Sequence, residues 1–137
     1  LPIEARLDVE AAKQVAAQLQ TAPCAILDGN FTSQQAIALF SRMDVVLSMR
    51  LHALVFAAGH GVPLIGAVYD PKVSSFLDAA GQDLYAPLEQ LTLQLLRSQL
   101  DAAVAQIRDR TTLEQKAHKL LELERNNVNC ARQLLNP

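Results

Sequence analysis

The chain has 137 residues, half of them hydrophobic, and a formal net charge of −2. This length and composition suit a globular domain with a real core and argue against disorder. The balanced charge and the small number of aromatic residues argue against nucleic-acid binding, and no stretch reaches the roughly 18 apolar residues that a membrane-spanning helix needs.

The first third of the chain predicts two helices separated by a strand. Residues 8–20 place apolar side chains at helical spacing, whereas residues 24–28 form a short apolar run that is typical of a buried strand. A second helix is predicted over residues 34–43. Thr32 or Ser33 is expected to cap it, because a short side-chain oxygen there can accept from the first free N–H groups.

The middle of the chain alternates strands and helices with short connections. Residues 44–48 and 62–69 are almost continuously apolar, as are parallel strands that are covered on both faces. A helix is predicted between them over residues 51–58. Asp70 and Pro71 predict the next helix start, with aspartate as the cap and proline at the first helical position.

The last third of the chain predicts a brief edge strand over residues 83–85 and two long helices over residues 88–108 and 112–135. The last helix is expected to present one apolar face, formed by Leu113, Ala117, Leu120, Leu121, Val128, Ala131 and Leu135. Because so few strands are evident, a further strand is expected before the sequence or partly within residues 1–5.

The alternating order predicts an α/β fold, with a Rossmann-like parallel sheet, helices on both faces and a helical tail. We predict an anion-binding domain over residues 1–87 and a helical extension over residues 88–137. Cys24 and Cys130 fit no zinc or redox spacing, so we expect reduced thiols in a cytoplasmic protein and no metal site.

The most informative stretch is residues 48–52, where a predicted strand passes directly into a predicted helix. This junction lies at the carboxyl edge of a parallel sheet, where ligands bind. The helix start offers unpaired N–H groups and a partial positive charge. Arg50 adds a fixed cation, and His52 adds a group that exchanges a proton near neutral pH. The sequence therefore predicts an anion site with a proton donor or acceptor beside it.

Structural interpretations of the same residues stay open. Arg50 could instead pair with a carboxylate such as Asp44 or Asp70, and His52 could be an ordinary residue at a helix start. Ser48 and Asp70 could act only as turn or cap groups, and Lys72 as a solvated or ion-paired lysine. His60 is interpreted as a loop residue and His118 as a surface residue.

Three short motifs resemble the carboxyl-terminal half of the polysaccharide pyruvyl transferases. They are S-M-R-L-H-A-L at residues 48–54, G-V-P at residues 61–63 and Y-D-P-K-V at residues 69–73. The upstream order, in which Asp28-Gly29 is followed by a helix and then Arg42-Met43-Asp44, is also similar. The resemblance covers residues 28–77, and its specificity lies in the combination of these motifs.

The resemblance implies a two-domain fold similar to the GT-B glycosyltransferases, with the active site between the halves. This chain would be the carboxyl-terminal half, so an amino-terminal half is an expected partner and the chain alone is expected to be inactive. The implied reaction transfers pyruvyl from phosphoenolpyruvate, with no separate cofactor, to a sugar of a cell-surface or cell-wall polysaccharide precursor as a ketal. A lipid-linked acceptor, a homo-oligomer and a position at the inner face of the membrane are compatible with it.

The resemblance assigns phosphoenolpyruvate binding to Arg50, Leu51 and His52, with Leu51 acting through its backbone N–H. His52 could be the acid, the base or a phosphate ligand. Ser48, Asp70 and Lys72 are further candidate substrate ligands. Two other functions stay open: the donor-binding half of a nucleotide-sugar glycosyltransferase or epimerase, and a non-catalytic assembly domain that uses the helical tail.

Overall fold

The computed structural model describes residues 5–135, which form six α-helices, three short strands and one 3-10 helix. In chain order the elements are α1 (Ala5–Gln18), α2 (Ser33–Phe40), β1 (Val46–Ser48), α3 (Leu51–Ala58), β2 (Leu64–Val68), α4 (Pro71–Ala79), β3 (Tyr85–Pro87), the 3-10 helix (Leu88–Gln90), α5 (Leu93–Gln106) and α6 (Arg110–Leu135). The strand expected within residues 1–5 lies outside the described residues, apart from Ala5, which begins α1.

The chain forms two compact units, Leu1–Ala36 and Ile37–Pro137. The first contains α1 and the start of α2, where Thr32 precedes the helix. The Gln35 N–H donates to Thr32 Oγ1 at 3.2 Å, and the Thr32 N–H donates to Gln35 Oε1 at 2.9 Å. This reciprocal capping box confirms the predicted cap and explains the helix start.

The strand predicted over residues 24–28 is wrong. The segment is irregular, Cys24 and Leu27 are exposed, and Ile26 is only half-buried. A strand is held by ladder hydrogen bonds to a neighbour, and within residues 5–135 the sheet contains only β1, β2 and β3. An apolar run without a paired neighbour therefore does not become a strand.

The second unit is built on a parallel three-stranded sheet in the order β1-β2-β3. Val46 is paired with Leu64 and Ser48 with Gly66, while Gly66 is also in register with Tyr85. The predicted α/β class with a parallel sheet is confirmed. The predicted edge strand forms two residues later than expected. The GT-B-like arrangement stays a prediction.

The core of this unit lies between the sheet and helices α3 and α4. Its fully buried side chains include Leu54 from α3, Leu64 from β2, and Val73 and Leu77 from α4. Because side chains alternate along a strand, the buried Ile65 points to the opposite face of β2, and α5 is the helix on the other side that contacts β2. Helices therefore cover both faces of this strand.

The helical tail differs from the prediction in two ways. The helix expected over residues 88–108 is interrupted, and α5 starts afresh after Thr92, whose Oγ1 accepts from the Leu95 N–H at 3.2 Å. In α6 only the first turns are covered: Leu113 and Ala117 are buried, whereas residues 121–135 are exposed. The predicted apolar face is thus buried only at its start. The domain boundary at residue 87 stays a prediction.

Candidate functional site

Two strand-to-helix junctions meet at the carboxyl edge of the sheet. Because β1 and β2 are parallel neighbours, their carboxyl ends lie at the same edge. β1 leads through Met49 and Arg50 into α3, and β2 leads through Tyr69 and Asp70 into α4. This edge of the sheet therefore carries all of the site residues predicted from the sequence.

At the first junction, Ser48 shapes the turn that presents Arg50. Its Oγ accepts from the Arg50 N–H at 2.9 Å and donates to the Arg50 carbonyl at 3.3 Å. Arg50 is the N-cap of α3 in an extended conformation (φ −87°, ψ 119°), and its side chain does not cap the helix. The hydroxyl of Ser48 thus orients the backbone, which is the turn role that the sequence left open.

The start of α3 leaves backbone donors available. In any α-helix the first N–H groups have no intrahelical acceptor, and here these groups include those of Leu51, His52 and Ala53, because Leu54 is the first residue whose N–H donates to the Arg50 carbonyl. The Leu51 side chain is half-buried and packs on the core cluster, so this residue faces the edge of the sheet through its backbone. A backbone role for Leu51 is therefore compatible with the geometry.

The two predicted ionic groups of this junction differ in exposure. Arg50 is half-buried, whereas His52 is exposed one residue into the helix. The imidazole ring lies with its centroid 6.5 Å from that of Phe56, one helical turn further on, at an interplanar angle of 51°. His52 therefore combines an exposed position with a ring contact to Phe56.

At the second junction, Asp70 caps its own helix. Its Oδ1 accepts from the Lys72 N–H at 2.9 Å, and its Oδ2 lies 3.4 Å from Lys72 Nζ. Donation by the Lys72 backbone N–H holds the pKa of the Asp70 carboxyl below its usual value, and the Lys72 ammonium acts in the same direction. Pro71 occupies the first turn, as the sequence predicted.

Tyr69, the first residue of the Y-D-P-K-V motif, also lies at this edge, although it was not among the predicted site residues. Its side chain is 48% exposed, and Lys72 Nζ lies 5.9 Å from the centre of its ring. The signal that could have found it is its position directly after the apolar run of β2. The structure therefore groups Ser48 with Arg50 and, separately, Tyr69 with Asp70 and Lys72.

A cavity of about 210 Å³ lies at the opposite, amino-terminal edge of the sheet. Asp44, which precedes β1, and His60, which precedes β2, both line it. Asp44 is thus at the other end of β1 from Arg50, which argues against the ion pair considered between them. His60 Nδ1 lies 3.0 Å from the Phe56 carbonyl, a contact within its own helix end.

Within residues 5–135, no group of three or more His, Cys, Asp or Glu side chains could hold a metal ion. In the same part of the chain no helix combines the length and the apolar character needed to cross a membrane. Both cysteines are unpaired and exposed.

A family model for the polysaccharide pyruvyl transferases matches residues 1–71. The match spans just over half of the chain and includes the whole first junction. The chain belongs to the polysaccharide pyruvyl transferase family. No curated protein and no solved structure matches it significantly. The family match ends at Pro71, so the pyruvyl transferase assignment covers Ser48, Arg50 and His52 but stops one residue before Lys72.

Proposed function

We propose that this chain is the donor-binding, carboxyl-terminal half of a pyruvyl transferase that uses phosphoenolpyruvate to form a ketal on a saccharide. The observation that carries the proposal is the first junction. There a cationic N-cap, free helix N–H groups and an imidazole lie together at the ligand edge of the sheet, inside the segment that matches the family.

Phosphoenolpyruvate carries a phosphate and a carboxylate, and its site must offset both anions. The guanidinium of Arg50 can bind either anion through two hydrogen bonds. A charge-assisted hydrogen bond contributes about 1.5–3 kcal/mol, and the helix terminus adds about 0.3–1 kcal/mol. Under this proposal the N–H groups of Leu51 and His52 bind the second set of anionic oxygens.

Ketal formation begins with the transfer of a proton to the methylene carbon of phosphoenolpyruvate, which leaves an oxocarbenium-like centre at the neighbouring carbon. A sugar hydroxyl attacks that centre and loses its proton. The carbon–oxygen bond to phosphate then breaks, and a second hydroxyl closes the ketal as its proton passes to the departing phosphate. Under this proposal His52 donates the first proton, accepts a hydroxyl proton or holds the phosphate. General acid–base catalysis of this kind contributes about 10²–10⁴-fold.

Phosphoenolpyruvate is the donor substrate in this proposal, and no separate cofactor is required. The partners are a saccharide acceptor and the amino-terminal half of the enzyme. We place the reaction in the cytoplasm, where phosphoenolpyruvate is made, and at the inner face of the membrane if the acceptor is lipid-linked.

Calorimetric titration of the chain with phosphoenolpyruvate tests the donor half directly. We expect saturable binding that Arg50→Ala weakens about 10- to 100-fold, since one charge-assisted contact is lost. Arg97→Ala, at an exposed arginine on α5, is the matched control and should bind as the parent does. Tighter binding of a nucleoside diphosphate than of phosphoenolpyruvate would instead favour the nucleotide-sugar alternative.

Transfer by the full-length enzyme tests the catalytic role. His52→Ala should abolish nearly all pyruvyl transfer, whereas His118→Ala, at an exposed histidine of α6, should leave it unchanged. Parental turnover in both Arg50→Ala and His52→Ala would reject the proposed function.

A further inference from the structure

The proposed function leaves open where the acceptor sugar lies, and the second junction offers a surface of the right chemistry. Tyr69 follows β2 at the ligand edge with nearly half of its side chain exposed. The ring is therefore accessible at the same edge of the sheet that carries the first junction.

The surroundings of the ring are fixed by Asp70 and Lys72. The Lys72 ammonium lies 5.9 Å from the ring centre, within the range of a cation–π interaction. It also lies 3.4 Å from the Asp70 carboxylate. The Asp70 carboxylate is also held by the Lys72 N–H at 2.9 Å. The ammonium thus lies over one face of the ring and next to the carboxylate, and the opposite face of the ring is the one on which a ligand would stack.

This combination matches a pyranose ring. One face of a pyranose presents polarised C–H bonds, which suit the negative face of an aromatic ring, while the hydroxyls at its rim need acceptors and donors. Each carboxylate oxygen accepts more than one hydrogen bond, and an ammonium has three donors. Asp70 and Lys72 therefore keep hydrogen-bonding capacity for hydroxyl groups.

The same junction is poorly suited to the anionic donor. The N-terminus of α4 is closed by the Asp70 carboxylate, whose negative charge opposes a second anion. The N-terminus of α3 has no such cap and carries Arg50 instead. The charge distribution thus separates a donor side at α3 from a neutral-ligand side at α4.

We propose that Tyr69 is the platform on which the acceptor pyranose stacks, with Asp70 and Lys72 binding its hydroxyl groups. This inference rests on the proposed function, because it assigns the second substrate of that reaction. Tyr69 is a specificity-determining residue here and takes no part in the transfer of protons.

Tyrosine fluorescence tests the platform without any need for activity. The chain has two tyrosines and no tryptophan, so Tyr85→Phe leaves Tyr69 as the single reporter. Titration with methyl β-D-galactopyranoside, methyl β-D-glucopyranoside and their N-acetylamino counterparts should give a saturable change with at least one sugar. Absence of a change with all four sugars overturns the proposal.

Ligand-observed NMR with the same sugars supplies the matched variants. Tyr69→Phe keeps the ring and should bind as the parent does, whereas Tyr69→Ala should weaken sugar binding about 3- to 10-fold. Leu100→Ala is the control, since Leu100 is an equally exposed apolar residue (46%) on α5. Equal weakening in Leu100→Ala, or parental sugar affinity in Tyr69→Ala, contradicts a stacking role.

Kinetics of the full-length enzyme separate this inference from the proposed function. Tyr69→Ala should raise the KM for the acceptor about 3- to 10-fold, the range for one aromatic contact, and leave the KM for phosphoenolpyruvate unchanged. If Arg50→Ala abolishes transfer but the acceptor KM of Tyr69→Ala is parental, only the Tyr69 assignment fails. If Arg50→Ala and His52→Ala both retain transfer, the proposed function fails whatever Tyr69 does.

Discussion

The two helix starts at the carboxyl edge have similar backbones and opposite chemistry. Both α3 and α4 follow a parallel strand, and both N-cap residues are extended, Arg50 at φ −87° and ψ 119° and Asp70 at φ −145° and ψ 136°. Asp70 closes its helix with its own carboxylate, whereas Arg50 does not cap α3. One residue therefore decides whether a helix start is satisfied internally or left open to an anion.

The open start of α3 has a cost in stability that a good cap would remove. Replacement of a favourable N-cap by a non-capping residue destabilises a helix by about 0.5–2 kcal/mol. A sequence that places arginine at this position forgoes that contribution, as proteins often do at functional sites. The comparison therefore predicts that a capping residue at position 50 would stabilise α3 and weaken anion binding.

The largest effect is expected from Arg50→Asp, which gives α3 the cap chemistry of α4. Phosphoenolpyruvate binding should fall by at least about 100-fold, because a cation is replaced by an anion that also occupies the helix N–H groups. The melting temperature should be higher than that of Arg50→Ala, since only the aspartate can accept from the helix start. Calorimetric titration and thermal unfolding of the two variants measure both effects.

Arg50→Ala is the appropriate reference because both variants lose the guanidinium, and only one gains an acceptor. Equal melting temperatures for the two variants would show that the start of α3 gains nothing from a carboxylate. Phosphoenolpyruvate binding that persists in Arg50→Asp would show that α3 is not the anion site.

Both junctions could be located from the sequence because their signals are local. Asp70-Pro71 is a cap followed by a proline that suits the first helical position, and the structure confirms that helix start. The passage from an apolar strand through Arg50 into α3 was likewise readable from hydrophobicity alone. Parallel pairing of β1 and β2 then brings the two junctions to one edge.

Features that depend on distant neighbours could not be read in this way. The apolar run at residues 24–28 has strand composition, but no strand among the described residues pairs with it. The apolar face of α6 continues in the sequence beyond Ala117, but the contact with α3 involves only the beginning of the helix. The placement of Lys72 over Tyr69 depends on side-chain rotamers, which periodicity does not encode.

A smaller effect, centred on the packing of β2 against α4, is expected from Gly66→Ala. A Cβ at Gly66 would overlap Leu77 Cδ1 of α4 and lie 3.0 Å from Tyr85 Cβ. Overpacking of this kind costs about 1–3 kcal/mol. Hydrogen exchange should therefore accelerate more in α4 than in α3, and the free energy of unfolding should fall in denaturant titration.

Gly59→Ala is the matched control for that variant. A Cβ there would meet only the Val55 carbonyl oxygen, at 3.7 Å, and the backbone is already right-handed helical (φ −62°). Its stability should be unchanged or slightly raised. Equal losses of stability in the two variants, or exchange in Gly66→Ala that accelerates more in α3 than in α4, would contradict this account of the packing.

The smallest effect is expected from Asp70→Asn, and it should depend on pH. The pKa of the Asp70 carboxyl is lowered chiefly by donation from the Lys72 N–H, so its charged form is favoured in the folded state. The stabilisation is present above the ordinary aspartate pKa of about 3.9 and is lost as pH falls through the lower folded value. Because asparagine caps without titrating, the melting temperatures of parent and Asp70→Asn should differ slightly at neutral pH and converge as the pH falls through the lowered pKa of Asp70. A difference that stayed constant over this acidic range would mean that the carboxylate charge at the start of α4 contributes nothing to stability. The contrast with the cationic start of α3 would then concern ligand binding alone.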